Sequence, residues 1–116
     1  MNSYRSGHFA EFIALIFLRL HGYKKVATNY VTGKGTGAGE IDLIVSKNNA
    51  LVFVEVKKRQ DINIAAYSIL PKQQQRIRRA AESFIATHKI YQNSDIRFDV
   101  ILFSNTWKIK HLKNAF

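Results

Sequence analysis

Hydrophobic positions recur along this chain at two spacings, and each predicts a different kind of element. Phe9, Phe12, Ile13, Ile16, Phe17 and Leu20 repeat at helical spacing, with Ala10, Ala14, Leu15 and Leu18 on the faces between them. The pattern predicts a helix buried on most sides, capped by Ser6, running to about His21 and stopped by Gly22. From Gly39 to Arg59 the period shortens to two. Ile41, Leu43 and Val45 share a face on one arm, and Val52, Val54 and Val56 on the next. Asn48-Asn49 between the arms suits a two-residue type I′ turn, because Asn tolerates positive φ. Counting outward pairs Val45 with Val52, Leu43 with Val54 and Ile41 with Val56 on an apolar face. On the opposite face Ile44 meets Phe53, Asp42 meets Glu55 and Glu40 meets Lys57.

The remaining elements fall into order around this hairpin. Residues 23–31 read as an edge-like strand with Val26 and Tyr30 turned inward. A polar connector spans residues 60–70. Pro71 then opens a helix from about Lys72 to His88, which buries Ile77, Ala80, Ala81, Phe84 and Ile85. Residues 97–103 alternate as a strand, with Ile96, Phe98, Val100 and Leu102 on one side and Asp99, expected to be a structural partner of Arg97 or Lys110, on the other. Residues 107–112 close the sheet as a short basic strand. The order α-β-β-β-α-β-β predicts an α/β fold with a mixed central sheet flanked by helices. A length of 116 residues accommodates one domain with one core.

Charge narrows the choice of partner. Lys and Arg number 18 against 8 Asp and Glu, a net charge of +10, in a chain that is 47% hydrophobic and so too apolar for a disordered basic tail. A polyanion is the expected partner. Charge supports binding and is silent on cleavage. The absence of Cys rules out a disulfide framework and a thiolate zinc site, as expected for a cytoplasmic protein. The four His, at 8, 21, 88 and 111, show no ligand spacing. The stretch from Phe9 to Leu20 is interrupted by Glu11 and Arg19 and is too short to cross a bilayer. No small-residue cleavage site follows it, so neither a signal peptide nor membrane association is expected.

Acids are scarce, and three of the eight, Glu40, Asp42 and Glu55, fall in the hairpin. Side chains directly opposite in a ladder have Cβ atoms about 4.5–5.5 Å apart. Two carboxylates there repel by roughly 3–4 kcal/mol at an effective dielectric near 20. Protonation of one, neutralisation by Lys57 or a divalent cation between them would each relieve this. The last option makes a site, in which Asp42, Glu55 and the Val56 carbonyl hold Mg²⁺ with positions open for water and phosphate oxygens. Lys57, on the same face as Glu55, would orient the attacking water. Glu11 is the odd residue of its apolar helix. It must reach a partner or shift its pKa, unless it faces solvent or pairs with Arg19.

An acid on one strand followed by Glu-x-Lys on the next, here Asp42 and Glu55-Val56-Lys57, resembles the PD-(D/E)xK nucleases of restriction-endonuclease-like fold. The Pro of that motif is replaced by Ile41. GEIDLI at 39–44, VFVEVKKR at 52–59, Pro71-Lys72-Gln73, RFDV at 97–100 and the terminal NAF resemble more narrowly the YraN-like family of uncharacterised proteins, which is similar to archaeal Holliday junction resolvases. The resemblance covers almost the whole chain. It implies a three-layer restriction-endonuclease-like fold and a Mg²⁺- or Mn²⁺-dependent endonuclease acting on DNA, branched or junction DNA among its substrates. Cleavage would leave a 3′-hydroxyl and a 5′-phosphate. Glu11 matches the first-helix acid that reaches the metal site in resolvase-like families, and Gln73 a helix residue near the scissile phosphate. A homodimer is expected by the same analogy.

Lys34, Lys58, Arg59, Lys72, Gln73, Arg76 and Arg79 are the candidates for contact with nucleic acid. The basic run on the second helix reads equally as a solvated face. The Gly-rich segment at 33–39 lacks Walker A spacing and is either a flexible loop or an approach to phosphate beside Asp42. The rival function is a nucleic-acid-binding protein that keeps the nuclease fold without catalysis.

Overall fold

A computed structural model describes residues 3–32, 39–60, 69–106 and 108–116, with side chains from His8 onward. Lys34, most of the Gly-rich loop, Trp107 and the connector at 61–68 lie outside the described residues. Helix α1 (Ser3–Leu20) is followed by strands β1 (Lys24–Val31), β2 (Glu40–Lys47) and β3 (Ala50–Lys58). Helix α2 (Pro71–Thr87) and a 3-10 turn (Lys89–Tyr91) lead into β4 (Asp95–Phe103) and β5 (Ile109–Leu112). The strands form one sheet in the order β1-β2-β3-β4-β5. All neighbours are antiparallel except β3 and β4, whose parallel pairing needs the long crossover that contains α2. The α/β class and the element order expected from the sequence hold among the described residues. Among the described residues no helix is long and apolar enough to cross a membrane.

The two helices cover opposite faces of the sheet. On one, Ala10, Ala14 and Leu18 of α1 pack on Leu43, Val45, Val52, Val54, Ile101 and Phe103. On the other, Ile77, Ala80, Ala81 and Phe84 of α2 meet Ile44, Leu51, Phe53 and Phe98. Ile85 is only half-buried. The alternation read from β2, β3 and β4 therefore supplies two inner faces, and Ile69 closes the second against Val100 and Leu102.

Helix α1 departs from expectation. It is not buried on most sides: the small Ala10 and Ala14 face the sheet and let the helix approach closely, leaving Phe9, Phe12, Ile16 and Leu20 exposed. The helix begins at Ser3, so Ser6 lies inside it and is not its cap. Its C-terminus ends as expected at Gly22, with φ of 90°. The Tyr23 N–H bonds to the Leu18 carbonyl and the Gly22 N–H to that of Arg19, a Schellman closure with Tyr23 and Leu18 packed in the same core.

Two details of the hairpin also differ. Only Asn48 has positive φ (53°), so the turn is not type I′, which needs it at both central residues. The Asn49 carbonyl is instead turned to accept the Asp95 N–H at 2.8 Å, tying the turn to β4. The ladder itself follows the expected register from Lys47↔Ala50 to Leu43↔Val54 and ends there. Beyond it Ile41 joins the α2-side core with Ile44 and Phe53, not the α1-side core with Leu43 and Val45. The strict alternation breaks at Asp42.

At the other end of the sheet, Asp99 is fully buried and structural, as expected. Its partners are Arg97, through two bonds of 2.8 Å, His111 Nε2 at 2.7 Å and the Asn114 N–H at 2.9 Å, with no part for Lys110. Burial alone would raise this carboxyl, but the donors from His111, Arg97 and Asn114 outweigh it and hold Asp99 below its ordinary value. The terminal Asn114-Ala115-Phe116 is thereby fastened to β4, with the Ala115 N–H on the Phe98 carbonyl at 2.7 Å.

Candidate functional site

The break at Asp42 is where the chemistry gathers. Past Leu43↔Val54 the arms no longer exchange backbone bonds, and the Asp42 carboxylate accepts the Val56 N–H through Oδ2 at 2.8 Å. Asp42 and Glu55 therefore do not meet as the ladder pair expected from counting. They meet at a fork, within hydrogen-bonding reach of each other, and Glu11 comes up from α1 to the same Asp42. Val56 meets this centre through its N–H. On β1, Asn29 takes positive φ (51°), which Asn tolerates and a branched residue would not. Its carboxamide nitrogen donates to Glu11 Oε2 at 2.8 Å and to Glu40 Oε1 at 3.3 Å. Four of the chain's eight acids, Glu11, Glu40, Asp42 and Glu55, are thus drawn together from three elements.

The electrostatics follow from this crowding. Glu55 is 7% exposed. Burial, and then the charge of Asp42, push its carboxyl from 4.5 up to about 7, against the pull of Lys57 Nζ at 3.3 Å. Burial raises Glu11 to about 7 as well, followed by the charge of Asp42, with Asn29 working the other way. Asp42 stands between them. Burial is the largest influence on it and leaves it above its ordinary value despite the Val56 N–H, its carboxyl neighbours and Lys57. Near neutral pH the cluster therefore holds protons that free carboxylates would have lost. Arg19, the alternative partner considered for Glu11, is not used; His8 Nδ1 lies 3.4 Å from Glu11 Oε2.

Helix α2 forms the opposite wall. Gln73 Nε2 donates to Glu55 Oε1 at 3.2 Å, which places this residue at the centre as the sequence suggested. Gly39 makes the closure possible: its N–H bonds to the Arg76 carbonyl at 3.3 Å, and an added Cβ would stand 3.1 Å from Arg76 Cβ. A cleft of about 430 Å³ results, with Asp42 and Glu55 on its floor and Lys72, Gln73 and Arg76 on its wall. The α2 N-terminus, which carries no acid in its first turn, adds positive potential there. Arg79, Lys58 and Arg59 do not line this cleft. Arg59 is bound up with the chain, its N–H on the Phe103 carbonyl and its guanidinium on that of Lys58.

Asn29 and the second role of Glu40 were missed from sequence. The available signal was a lone Asn within a strand, a residue type that visits left-handed backbone.

Paired carboxylates in a cleft are the donor set of a divalent cation. Among the described residues no three His, Cys, Asp or Glu stand ready as a coordination shell. Asp42 and Glu55 do offer paired hard oxygens at the floor of an open cleft, in a cluster carrying more negative charge than it can ionise at neutral pH. The fit is that of a two-carboxylate site, with Glu11 beside Asp42.

The profile of a family described as "Uncharacterised protein family UPF0102" matches residues 10–103. UPF0102 proteins of Paramagnetospirillum magneticum and Parvibaculum lavamentivorans are 39% identical over 112 residues and 42% over 113, covering 96% and 97% of this chain and 86% and 82% of theirs. One from Rhodopseudomonas palustris is 38% identical over 114 residues, 98% of this chain and 85% of its own.

Proposed function

We propose that this chain, which belongs to the uncharacterised protein family UPF0102, is a divalent-cation-dependent DNA endonuclease of restriction-endonuclease-like fold. The observation that carries the reading is the meeting of Asp42 and Glu55 on the floor of a cleft whose wall is basic, with Lys57 Nζ held 3.3 Å from Glu55 Oε1. A structural salt bridge does not need four acids around one fork, and a plain binding surface does not need buried carboxylates.

Asp42 and Glu55 would hold Mg²⁺ or Mn²⁺, which when bound supplies Lewis-acid polarisation of a phosphate oxygen and a lowered pKa for water. The protein's own groups account for the rest. Lys72 and Arg76 attract the sugar-phosphate chain into the cleft. Gln73, already bonded to Glu55, fixes that carboxylate's rotamer. Lys57 sits 3.3 Å from Glu55 Oε1, where its ammonium can orient the attacking water and offset charge growing on phosphorus. Glu11, raised to about 7 beside Asp42, is placed to hold or release a proton near neutral pH.

The test is cleavage. Supercoiled, linear, single-stranded and four-way-junction DNA are incubated with Mg²⁺ or Mn²⁺ and with EDTA. Cation-dependent cutting should disappear in Asp42→Ala, Glu55→Ala and Lys57→Ala proteins whose circular dichroism is unchanged. Cutting that survives these changes would place the activity elsewhere. DNA binding that persists in EDTA without any cleavage would identify a binding protein that keeps the fold alone.

A further inference from the structure

Glu11 and Asn29 face a second cleft, on the α1–β1 side of the fork and away from α2. It encloses about 380 Å³ and is lined among others by His8, Phe12, Arg19 and Lys25. Arg19 and Lys25 also line an adjoining hollow of about 560 Å³ with Lys24, and Lys24 in turn lines a third, of about 390 Å³, with Lys47. The three concavities share walls and form one track. It starts at the acidic centre and runs toward the C-terminal end of α1, about 12 Å along the helix from Glu11 to Arg19. Beyond Glu11 the charged side chains on it are cationic. Neither Arg19 nor Lys25 forms an ion pair among the described residues. Phe12 stands at the head of the track, 58% exposed although aromatic.

We infer that this track is a second nucleic-acid site, which carries a single strand away from the acidic centre with a base stacked on Phe12. The inference rests on the nuclease reading and deepens it to a substrate class. A basic groove that follows a backbone, combined with an exposed ring, is how single strands are held without sequence preference. An intact duplex keeps its bases stacked inside and gives Phe12 nothing to bind. The preferred substrate then carries an unpaired segment, such as a flap, an end or an opened junction arm.

Fluorescence anisotropy with a labelled oligothymidylate, in EDTA so that nothing is cut, tests this directly. Arg19→Glu combined with Lys25→Glu should weaken binding at least ten-fold more than the equal charge change Lys108→Glu with Lys110→Glu at the opposite edge of the sheet. The salt dependence should flatten by about 1.4 in log-log slope, 0.7 for each lost phosphate contact on a single strand. Phe12→Ala should weaken the oligonucleotide on the order of ten-fold, Phe12→Tyr should restore it, and a blunt hairpin duplex should respond far less. Should the glutamate pair fail to fold, Arg19→Gln with Lys25→Gln serves in its place, with the same order of effects.

Equal losses in the track and control pairs would overturn the inference, as would equal losses for duplex and single strand. So would a wild-type dimer that Phe12→Ala splits while binding per chain stays the same, since the exposed stripe would then belong to a second copy. Track-dependent binding with no cleavage would overturn the nuclease reading and leave the track supported.

Discussion

Replacing Glu55 by Gln should stabilise the cation-free protein at pH 8, although it removes a buried hydrogen-bonded group. The carboxyl of Glu55 rises on folding from 4.5 to about 7. A group whose folded pKa is raised holds its proton more tightly when folded. It contributes no penalty below about pH 4.5, costs stability progressively from there to about 7, and costs a constant amount above. At 1.36 kcal/mol per pH unit the full cost is about 3 kcal/mol. Because Asp42 shares the strain, the recoverable part is roughly 1–3 kcal/mol. The amide of Glu55→Gln can still accept from Gln73 and can donate to Asp42, standing in for the protonated acid. For a chain of this length about 4 °C accompanies each kcal/mol, so Tm should rise by roughly 4–12 °C at pH 8, and the gap should close by pH 4.5. Thermal unfolding followed by circular dichroism from pH 4.5 to 8 in EDTA measures it. Wild type that equals or exceeds Glu55→Gln in stability at pH 8 would refute the account of the centre as a strained carboxylate cluster.

Three other outcomes are expected. Millimolar Mg²⁺ or Mn²⁺ at pH 8 should raise the Tm of wild type by mass action and leave that of Glu55→Gln nearly unmoved, measured in the same instrument. At pH 4.5, where charge relief is absent, Asp42→Ala should cost about 1–3 kcal/mol in urea unfolding by orphaning the Val56 N–H, whereas Asp42→Asn, which keeps an acceptor, should cost less. Asp99→Ala should cost about 3–5 kcal/mol, because Arg97 loses its buried anion. The folded pKa of Asp99 is depressed, so its contribution is complete above about pH 3.8 and fades as pH falls through the folded value, which acid titration of the two proteins would show.

What the linear chain determined was local. The period-two runs of β2 and β3 and the two-residue gap at Asn48-Asn49 set the hairpin register, because a one-residue slip would turn Leu43, Val45, Val52 and Val54 into the wrong core. The single apolar stripe of α2 had only one face to bury. That register brings Asp42 and Glu55-Val56-Lys57 to the same end of the hairpin but does not set the way in which they meet there. Tertiary structure decided the rest. Helix α1 is apolar nearly all round, so its periodicity could not choose a face, and close packing chose Ala10 and Ala14 over Phe9 and Phe12. The fork at Asp42, the left-handed Asn29 and the approach of α2 over Gly39 each depend on elements far apart in sequence. A carboxylate taking a strand's N–H, or a helix backbone seated on a glycine, leaves no periodic trace in the chain that makes it.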